Sequence, residues 1–359
     1  MATMKERAIG CLYGQAIGDA LGTRYEFMPS MKAQAAIKQD TRDDDAFLPI
    51  LGGGPFAMEC GQVTDDTEMA MALAHSLLRC RRYDAEDVAR AYHDWYKSQP
   101  ADIGNTTRRA LAGVNRSAGQ LFQQIREHSV ELNESSLSNG CLMRISPLAL
   151  AMTNQRAEAV RRAAAVDCSM THSSPIPADA CAVYVVALHA LINGASPQAA
   201  YDAARSTAET ELVRKILANV SVPAPRQPDA HSGHVEHNAA VQLQLDVLDE
   251  RSDGFLGVAL RLAFRQLLHA HSFQAGLRCS AAGLMATILM GGDTDTNGCI
   301  VGAMLGARFG ASHIPKEWRY TVTNARPNRL KRYPTVDLRN LEKIACDLLR
   351  ISVPHDQID

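Results

Sequence analysis

Two acidic clusters, far apart in the sequence, contain the residues best suited to chemistry. The first, Thr64 to Thr67, reads TDDT, and the second, Gly291 to Thr296, reads GGDTDT. Each opens a segment whose apolar residues have helical spacing. Thr and Asp are good N-caps, and Asp65 with Glu68 has the spacing of a capping box, so helix capping is one interpretation of either cluster. A cap needs one side-chain oxygen, however, and each cluster offers two carboxylates together with threonine hydroxyls.

Converging carboxylates would repel one another unless a cation neutralised them. Magnesium is a hard cation that takes oxygen ligands in octahedral geometry, and manganese fits similar ligands. Neither cluster contains Cys or His. The pair of clusters therefore suits a site for two Mg²⁺ ions, with open positions for substrate and water.

The elements that must position these clusters are predicted to be helices. Aromatic residues make up only 5% of the chain, and alanine, the best helix former, is abundant. Segment 5–22 carries a glycine at every fourth position, which would let a neighbouring helix approach closely. Period-2 alternation is absent, so we predict one all-α domain over residues 1–359. The other predicted helices are 66–79, 84–97, 106–128, 147–152, 156–166, 177–192, 197–219, 255–272, 275–290, 296–309 and 338–350.

Two stretches are predicted to be loops, and the second of them, 220–254, is predicted to be an insertion. A domain boundary there is the alternative. The first predicted loop covers residues 29–63. The second contains His231, His234 and His237, which are expected to be solvated, although a transition-metal site is the other interpretation.

Composition excludes several classes of protein. A net charge of −2 provides no field that would attract nucleic acid or a membrane surface. No signal peptide is visible, and no apolar stretch is expected to be long enough to span a bilayer. The nine cysteines include no C-x-x-C pair. These features indicate a cytoplasmic protein with reduced thiols.

A set of motifs in a fixed order gives a more specific resemblance. The chain is similar to the ADP-ribosylglycohydrolase family, which includes the enzyme that reactivates ADP-ribosylated dinitrogenase reductase. The resemblance implies a compact helical bundle with a dimetal centre at the base of a cleft. The matching stretches are GQAIGDALGTRYEFMP (14–29), GQVTDDT (61–67), DIGNTT (102–107), SNGCLMRISP (138–147), Thr171-His172, GGDTDTNGCIVGAMLGARFG (291–310) and residues 314–318.

The resemblance also implies roles for individual residues. Glu26 would lie beside the distal ribose, and Asp102 is a candidate general base. Without the resemblance, Glu26 reads as a surface carboxylate and Asp102 as a support for its turn. The implied metal ligands are Thr64, Asp65, Asp66, Asp293, Asp295 and Thr296. The implied substrate-binding residues are Gly104, Asn105, Asn139, Gly140, Met143, Arg144 and His172.

Two of these substrate-binding assignments have a structural role as the alternative. Arg144 could instead be the partner in a structural salt bridge, and His172 could be a satisfied core residue. Cys168 precedes His172 by four residues, but nothing in the sequence supports a nucleophilic pair.

The sequence therefore predicts a magnesium-dependent hydrolase that removes ADP-ribose from a modified acceptor. ADP-ribosyl-arginine on protein is the favoured substrate, free ADP-ribose is the product, and a toxin's modification is one that such an enzyme could reverse. The alternative is a non-catalytic protein that binds ADP-ribose, or an immunity protein that blocks an ADP-ribosyltransferase. The expected partner is thus an ADP-ribosylated protein or small conjugate, or the transferase itself.

Overall fold

The structure, a computed structural model, describes residues 2–41, 47–221, 254–271, 283–326 and 337–352. The predicted insertion at 220–254, with its three histidines, lies outside the described residues except at its ends.

The all-α prediction is confirmed across the described residues. One pair of two-residue strands, β1 (Met28–Pro29) and β2 (Gly291–Gly292), interrupts the helices. The α-helices are α1 (Met4–Gly22), α2 (Ser30–Asp40), α3 (Asp65–Cys80), α4 (Ala85–Lys97), α5 (Asn105–Leu111), α6 (Leu121–Leu132), α7 (Ser146–Ala151), α8 (Ala157–Ser169), α9 (Pro175–Ile192), α10 (Pro197–Thr207), α11 (Glu211–Ala218), α12 (Leu256–His269), α13 (Gly283–Ile288), α14 (Thr294–Phe309), α15 (Lys316–Thr323) and α16 (Leu341–Ser352).

Several predicted boundaries were wrong. Segment 106–128 is two helices, because the backbone becomes extended at Ala112 and Gly113 then adopts a left-handed φ of 74°. Segment 197–219 is also two helices, and the side chain of Thr210 caps the second by accepting a hydrogen bond from Val213 N–H. The predicted loop 29–63 contains α2.

Helices α1 and α14 are mostly buried and pack with their backbones very close together. A Cβ atom added at Gly18 would lie 1.9 Å from the carbonyl oxygen of Gly298, and one added at Gly306 would lie 1.8 Å from that of Gly10. Only glycine fits at such distances. The contact fixes the start of α14, where the second acidic cluster lies, against the end of α1, which leads to Glu26.

Helix α9 corrects one expectation from the sequence. By length and composition it is apolar enough to cross a membrane, because Asp179 is the only charged residue among its 18. The protein buries 72% of this stretch against other helices, as in the core helix of a globular bundle. The Asp179 carboxylate accepts a hydrogen bond from Thr210 N–H at 2.6 Å, which connects α9 to the start of α11.

Candidate active site

Both acidic clusters lie at helix N-termini, and in the second cluster Asp295 Oδ1 accepts a hydrogen bond from Thr296 N–H at 2.9 Å. Thr64 is the N-cap residue of α3 and Asp293 that of α14, and neither side chain makes a capping hydrogen bond. The six predicted metal-ligand side chains are all buried, with 7% or less of each residue exposed. Capping therefore does not explain why the sequence places so many acids here.

The capping of α3 comes from another helix. Asp19 of α1 accepts hydrogen bonds from the backbone N–H groups of Thr64 and Thr67, each at 3.0 Å, and from the Thr64 hydroxyl. Because Asp19 satisfies these groups, the carboxylates of Asp65 and Asp66 are free for other partners. The sequence prediction missed this residue. The available signal was an acid inside a helix whose neighbouring positions are Gly and Ala.

Carboxylates from distant parts of the chain meet at one point. One oxygen each from Glu26, Asp102 and Asp295 lie within 4.8 Å of one another. Asp65 joins them by a hydrogen bond with Asp102, and it also accepts one from Gly104 N–H at 3.3 Å. The structure thus brings both clusters and both predicted catalytic carboxylates together. We call the following set the acidic centre: Asp19, Glu26, Thr64, Asp65, Asp66, Asp102, Asp293, Asp295 and Thr296.

The short strand pair positions Glu26. Strands β1 and β2 are antiparallel, with Met28 opposite Gly292, and Phe27 N–H donates to the Gly292 carbonyl at 2.8 Å. Phe27 has a left-handed φ of 59°, a conformation that a bulky side chain rarely adopts. The bend places Glu26 beside the start of α14 with only 7% of the residue exposed. It is therefore not the surface carboxylate of the alternative interpretation.

Burial and mutual repulsion raise the pKa values in the acidic centre. Burial, followed by the charges of Asp293 and Asp65, raises the pKa of Glu26 to about 8. Burial, followed by the charges of Asp65 and Glu26, raises the pKa of Asp102 to about 9. The pKa of Asp295 also lies well above its ordinary value, chiefly because of burial. Ionising all these groups together would require a compensating positive charge.

The donor set fits a divalent cation. Among the described residues, Glu26 Oε2 and Asp66 Oδ1 are buried and have no hydrogen-bond partner. Buried polar atoms without partners are rare and suggest a missing ligand or ion. Carboxylate and hydroxyl oxygens are the ligands that hard cations prefer.

The predicted substrate-binding residues divide into a group that adjoins the acidic centre and a group, Met143 and His172, that is buried. Asn139 adjoins the acidic centre, since its Nδ2 donates to Asp293 Oδ2 at 2.7 Å, and the exposed Gly104 and Asn105 lie beside Asp102 at the start of α5. Met143 is buried. His172 is also buried, and its two ring nitrogens are hydrogen-bonded to the hydroxyls of Ser138 and Thr171.

Gly140 connects the two groups. It is partly exposed, and a Cβ added to it would lie 3.9 Å from the His172 ring. His172 therefore lies beneath this turn and does not project toward the acidic centre with a free nitrogen.

Arg144 has a structural environment, and its assignment as a substrate-binding residue is corrected. The residue is fully buried, its Nε donates to Asp167 Oδ1 at 3.0 Å, and its Nη2 donates to the Asp167 carbonyl at 3.0 Å. Its guanidinium carbon lies 4.7 Å from the centroid of the Tyr92 ring. The salt-bridge alternative that the sequence left open is the one that the structure supports.

Comparisons with known proteins agree with this geometry. The family model for ADP-ribosylglycohydrolase matches residues 1–350. The chain belongs to the ADP-ribosylglycohydrolase family. It is 28% identical over 316 residues to the ADP-ribosyl-[dinitrogen reductase] glycohydrolase of Rhodospirillum rubrum, covering 88% of this chain and 90% of that one. It is also 28% identical over 320 residues to the ADP-ribosylarginine hydrolase Tri1 of Pseudomonas putida, covering 87% and 73% of the two chains.

A solved structure extends the family match to three dimensions. An "ADP-ribosylglycohydrolase-related protein complex" superposes on this chain with a TM-score of 0.69 and 25% identity, and it covers 98% of this chain and 100% of its own. The predicted family, the helical-bundle fold and the hydrolase class are therefore confirmed for this ADP-ribosylglycohydrolase family member.

Proposed function

We propose that the protein is a magnesium-dependent hydrolase that releases free ADP-ribose from ADP-ribosylated arginine on protein. The observation that carries the proposal is the meeting of Glu26, Asp102 and Asp295, from three distant segments, at one point, where Glu26 and Asp295 are buried and Asp102 is half-buried. The name of the Pseudomonas putida relative supports arginine as the acceptor, and that of the Rhodospirillum rubrum relative supports a protein substrate.

The acidic centre would hold two Mg²⁺ ions. Asp65 and Asp66 at the start of α3, with Asp293 and Asp295 at the start of α14, supply carboxylates, and Thr64 and Thr296 supply hydroxyls. Manganese takes similar oxygen ligands and is expected to substitute. When bound, such ions polarise substrate oxygens and lower the pKa of water.

The chain's own carboxylates would carry out the proton transfers. The reaction breaks the bond between the anomeric carbon of the distal ribose and the acceptor nitrogen, and water adds a hydroxyl to the carbon and a proton to the nitrogen. Glu26 and Asp102 are both close enough to the convergence point to orient the water or take its proton. The surrounding negative charges would stabilise an oxocarbenium-like transition state, as in other glycosidases.

The decisive experiment offers the purified protein an arginine-ADP-ribosylated protein with and without magnesium. We expect free ADP-ribose only with magnesium, full loss with EDTA, and recovery on adding Mg²⁺ or Mn²⁺. A matched serine-linked substrate measures the acceptor preference. Full activity in metal-free protein would refute the metal role.

The same experiment tests the alternative. Tight binding of ADP-ribose with no release from either substrate would support a non-catalytic binding or immunity protein. Inhibition of an ADP-ribosyltransferase by the same sample would then favour the immunity role.

A further inference from the structure

A second group of metal-ligating side chains lies beneath the Ser138–Cys141 turn, outside the acidic centre. Cys141, Cys168 and His172 each place one ligand atom within 4.8 Å of the other two, and all three residues are buried. Cys181, also fully buried, lies beside Cys141 and Cys168, although its sulfur falls outside this 4.8 Å group. We call these four residues the thiol cluster.

Three separate segments build the thiol cluster. Cys141 ends the short 3₁₀ turn Asn139–Cys141, and Cys181 lies on α9. Cys168 is in the last turn of α8, and His172 follows it by four residues, with its N–H donating to the Cys168 carbonyl at 2.9 Å. This helical turn puts Cys168 and His172 on the same side of the chain.

We propose that the thiol cluster is a binding site for a thiol-seeking divalent cation, with Zn²⁺ the best match. Three cysteines and one histidine form a ligand set typical of closed structural zinc sites. A zinc–sulfur bond of about 2.3 Å in a tetrahedral site puts two sulfurs about 3.8 Å apart. The ligand atoms of Cys141, Cys168 and His172 therefore need to move together by about 1 Å at most, within the reach of small side-chain rotations, and Cys181 must move further to become the fourth ligand.

One thiol of the thiol cluster ionises more readily than the other two. Burial alone would raise the pKa of the Cys141 thiol, but hydrogen bonds with Cys168 and Cys181 and the nearby His172 ring lower it well below its ordinary range, whereas burial raises the pKa values of Cys168 and Cys181. Thiolate is the form that binds metal. A buried thiolate is costly without a compensating charge, and a cation among three sulfurs would supply one.

Metal binding would change the bonding of His172. Its two ring nitrogens are now hydrogen-bonded to Ser138 and Thr171, so a metal-bound ring must release one of these hydroxyls. The same turn carries Asn139, whose side chain bonds Asp293 of the acidic centre. A cation here would therefore hold in place a segment that touches the acidic centre, and this inference stands whether or not the proposed hydrolase activity is found.

A cadmium titration tests the site directly. The reduced full-length protein is titrated with Cd²⁺ in saturating Mg²⁺, which occupies oxygen ligands, and the ultraviolet thiolate-to-cadmium charge-transfer band is recorded. We expect the band to saturate at one equivalent and Zn²⁺ to displace the Cd²⁺. Cys168→Ala should lose most of the band. Cys11→Ala, which removes an equally buried thiol elsewhere, should keep it.

Two results would overturn the proposal: no saturable band in the folded wild-type protein, or an undiminished band in Cys168→Ala. Either would mean that the four side chains are ordinary core packing. If Cys168→Ala does not fold, Cys181→Ala replaces it. The melting temperature gives a further measurement. Zn²⁺ should raise the melting temperatures of the wild type and of Cys11→Ala but not that of Cys181→Ala.

Discussion

The acidic centre and the thiol cluster lie on either side of one short turn, Asn139–Cys141, and they use opposite ligand chemistry. The acidic centre is built from hard oxygen ligands at helix starts, and the exposed Gly104 and Asn105 adjoin it. The thiol cluster is built from soft ligands that are almost completely buried. A centre that exchanges substrate and water needs access to solvent, whereas a closed set of ligands is suited to structural stabilisation. The two should therefore bind different metals and lose them through different mutations, although Asn139 of the shared turn bonds Asp293 of the acidic centre.

The largest expected effect comes from removing one carboxylate of the acidic centre. Asp295→Asn should lose measurable turnover and Mg²⁺ binding, because this buried carboxylate lies at the convergence point with Glu26 and Asp102. Without metal, the variant should be at least as stable as the wild type, since burial, followed by the neighbouring carboxylates, disfavours the charged form of Asp295. Calorimetric Mg²⁺ titration and thermal unfolding measure both effects. The Cd²⁺ band of the thiol cluster should not change; its loss would show that the two sites are one.

The next largest effect is a loss of stability when the buried ion pair between Arg144 and Asp167, beside the thiol cluster, is broken. Arg144→Met leaves the fully buried Asp167 carboxylate without its cation and should cost about 3–5 kcal/mol of unfolding free energy. Lys215→Met, which breaks the exposed pair with Glu211, is the matched control and should cost less than about 1 kcal/mol. Denaturant unfolding gives both values. A variant with normal stability but a raised KM would return Arg144 to the substrate site.

A smaller effect separates chemistry from ligand binding within the acidic centre. Glu26→Gln keeps the shape and removes the charge, and the rate should fall by about 10²-fold or more while affinity for ADP-ribose and Mg²⁺ persists. Glu59→Gln, at an exposed glutamate, is the control and should turn over normally. Loss of Mg²⁺ affinity in Glu26→Gln would make Glu26 a ligand. Normal turnover would move the proton-transfer role to Asp102.

The smallest effect is a pH dependence of the stabilisation by Mg²⁺. The pKa values of Glu26 (about 8) and Asp102 (about 9) in the metal-free fold exceed those of ordinary carboxyls, near 4. Their contribution to metal-free stability is therefore complete below about pH 4 and is lost as pH rises through 8 to 9. Mg²⁺ offsets the repulsion, so it should raise the melting temperature by a few degrees more at pH 8.5 than at pH 5.5. An equal shift at both pH values would contradict this.

Motif spacing predicted the parts of the site that local sequence determines. The carboxylates at the starts of α3 and α14 could be found because helix starts have a recognisable pattern. Asp19 could not, because its role depends on the contact between α1 and α3. The thiol cluster was missed for the same reason: Cys141, Cys168 and Cys181 follow no metal-binding spacing and meet only after α8 and α9 pack.

The fold shows the same division. The periodicity of apolar residues predicted most of the helices. It did not find α2, which is short and mostly exposed, or the break at Ala112 and Gly113, which depends on a local change of backbone conformation.

The glycine contact between α1 and α14 has a consequence for protein synthesis. It pairs residues 4–22 with residues 294–309, which leave the ribosome much later. Until α14 is made, the glycine face of α1 lacks its partner and the acidic centre lacks Asp293, Asp295 and Thr296. Contacts between such distant segments form late in folding. A chain that has not been translated through α14 therefore has no complete acidic centre, and hydrolysis requires a polypeptide that includes this helix.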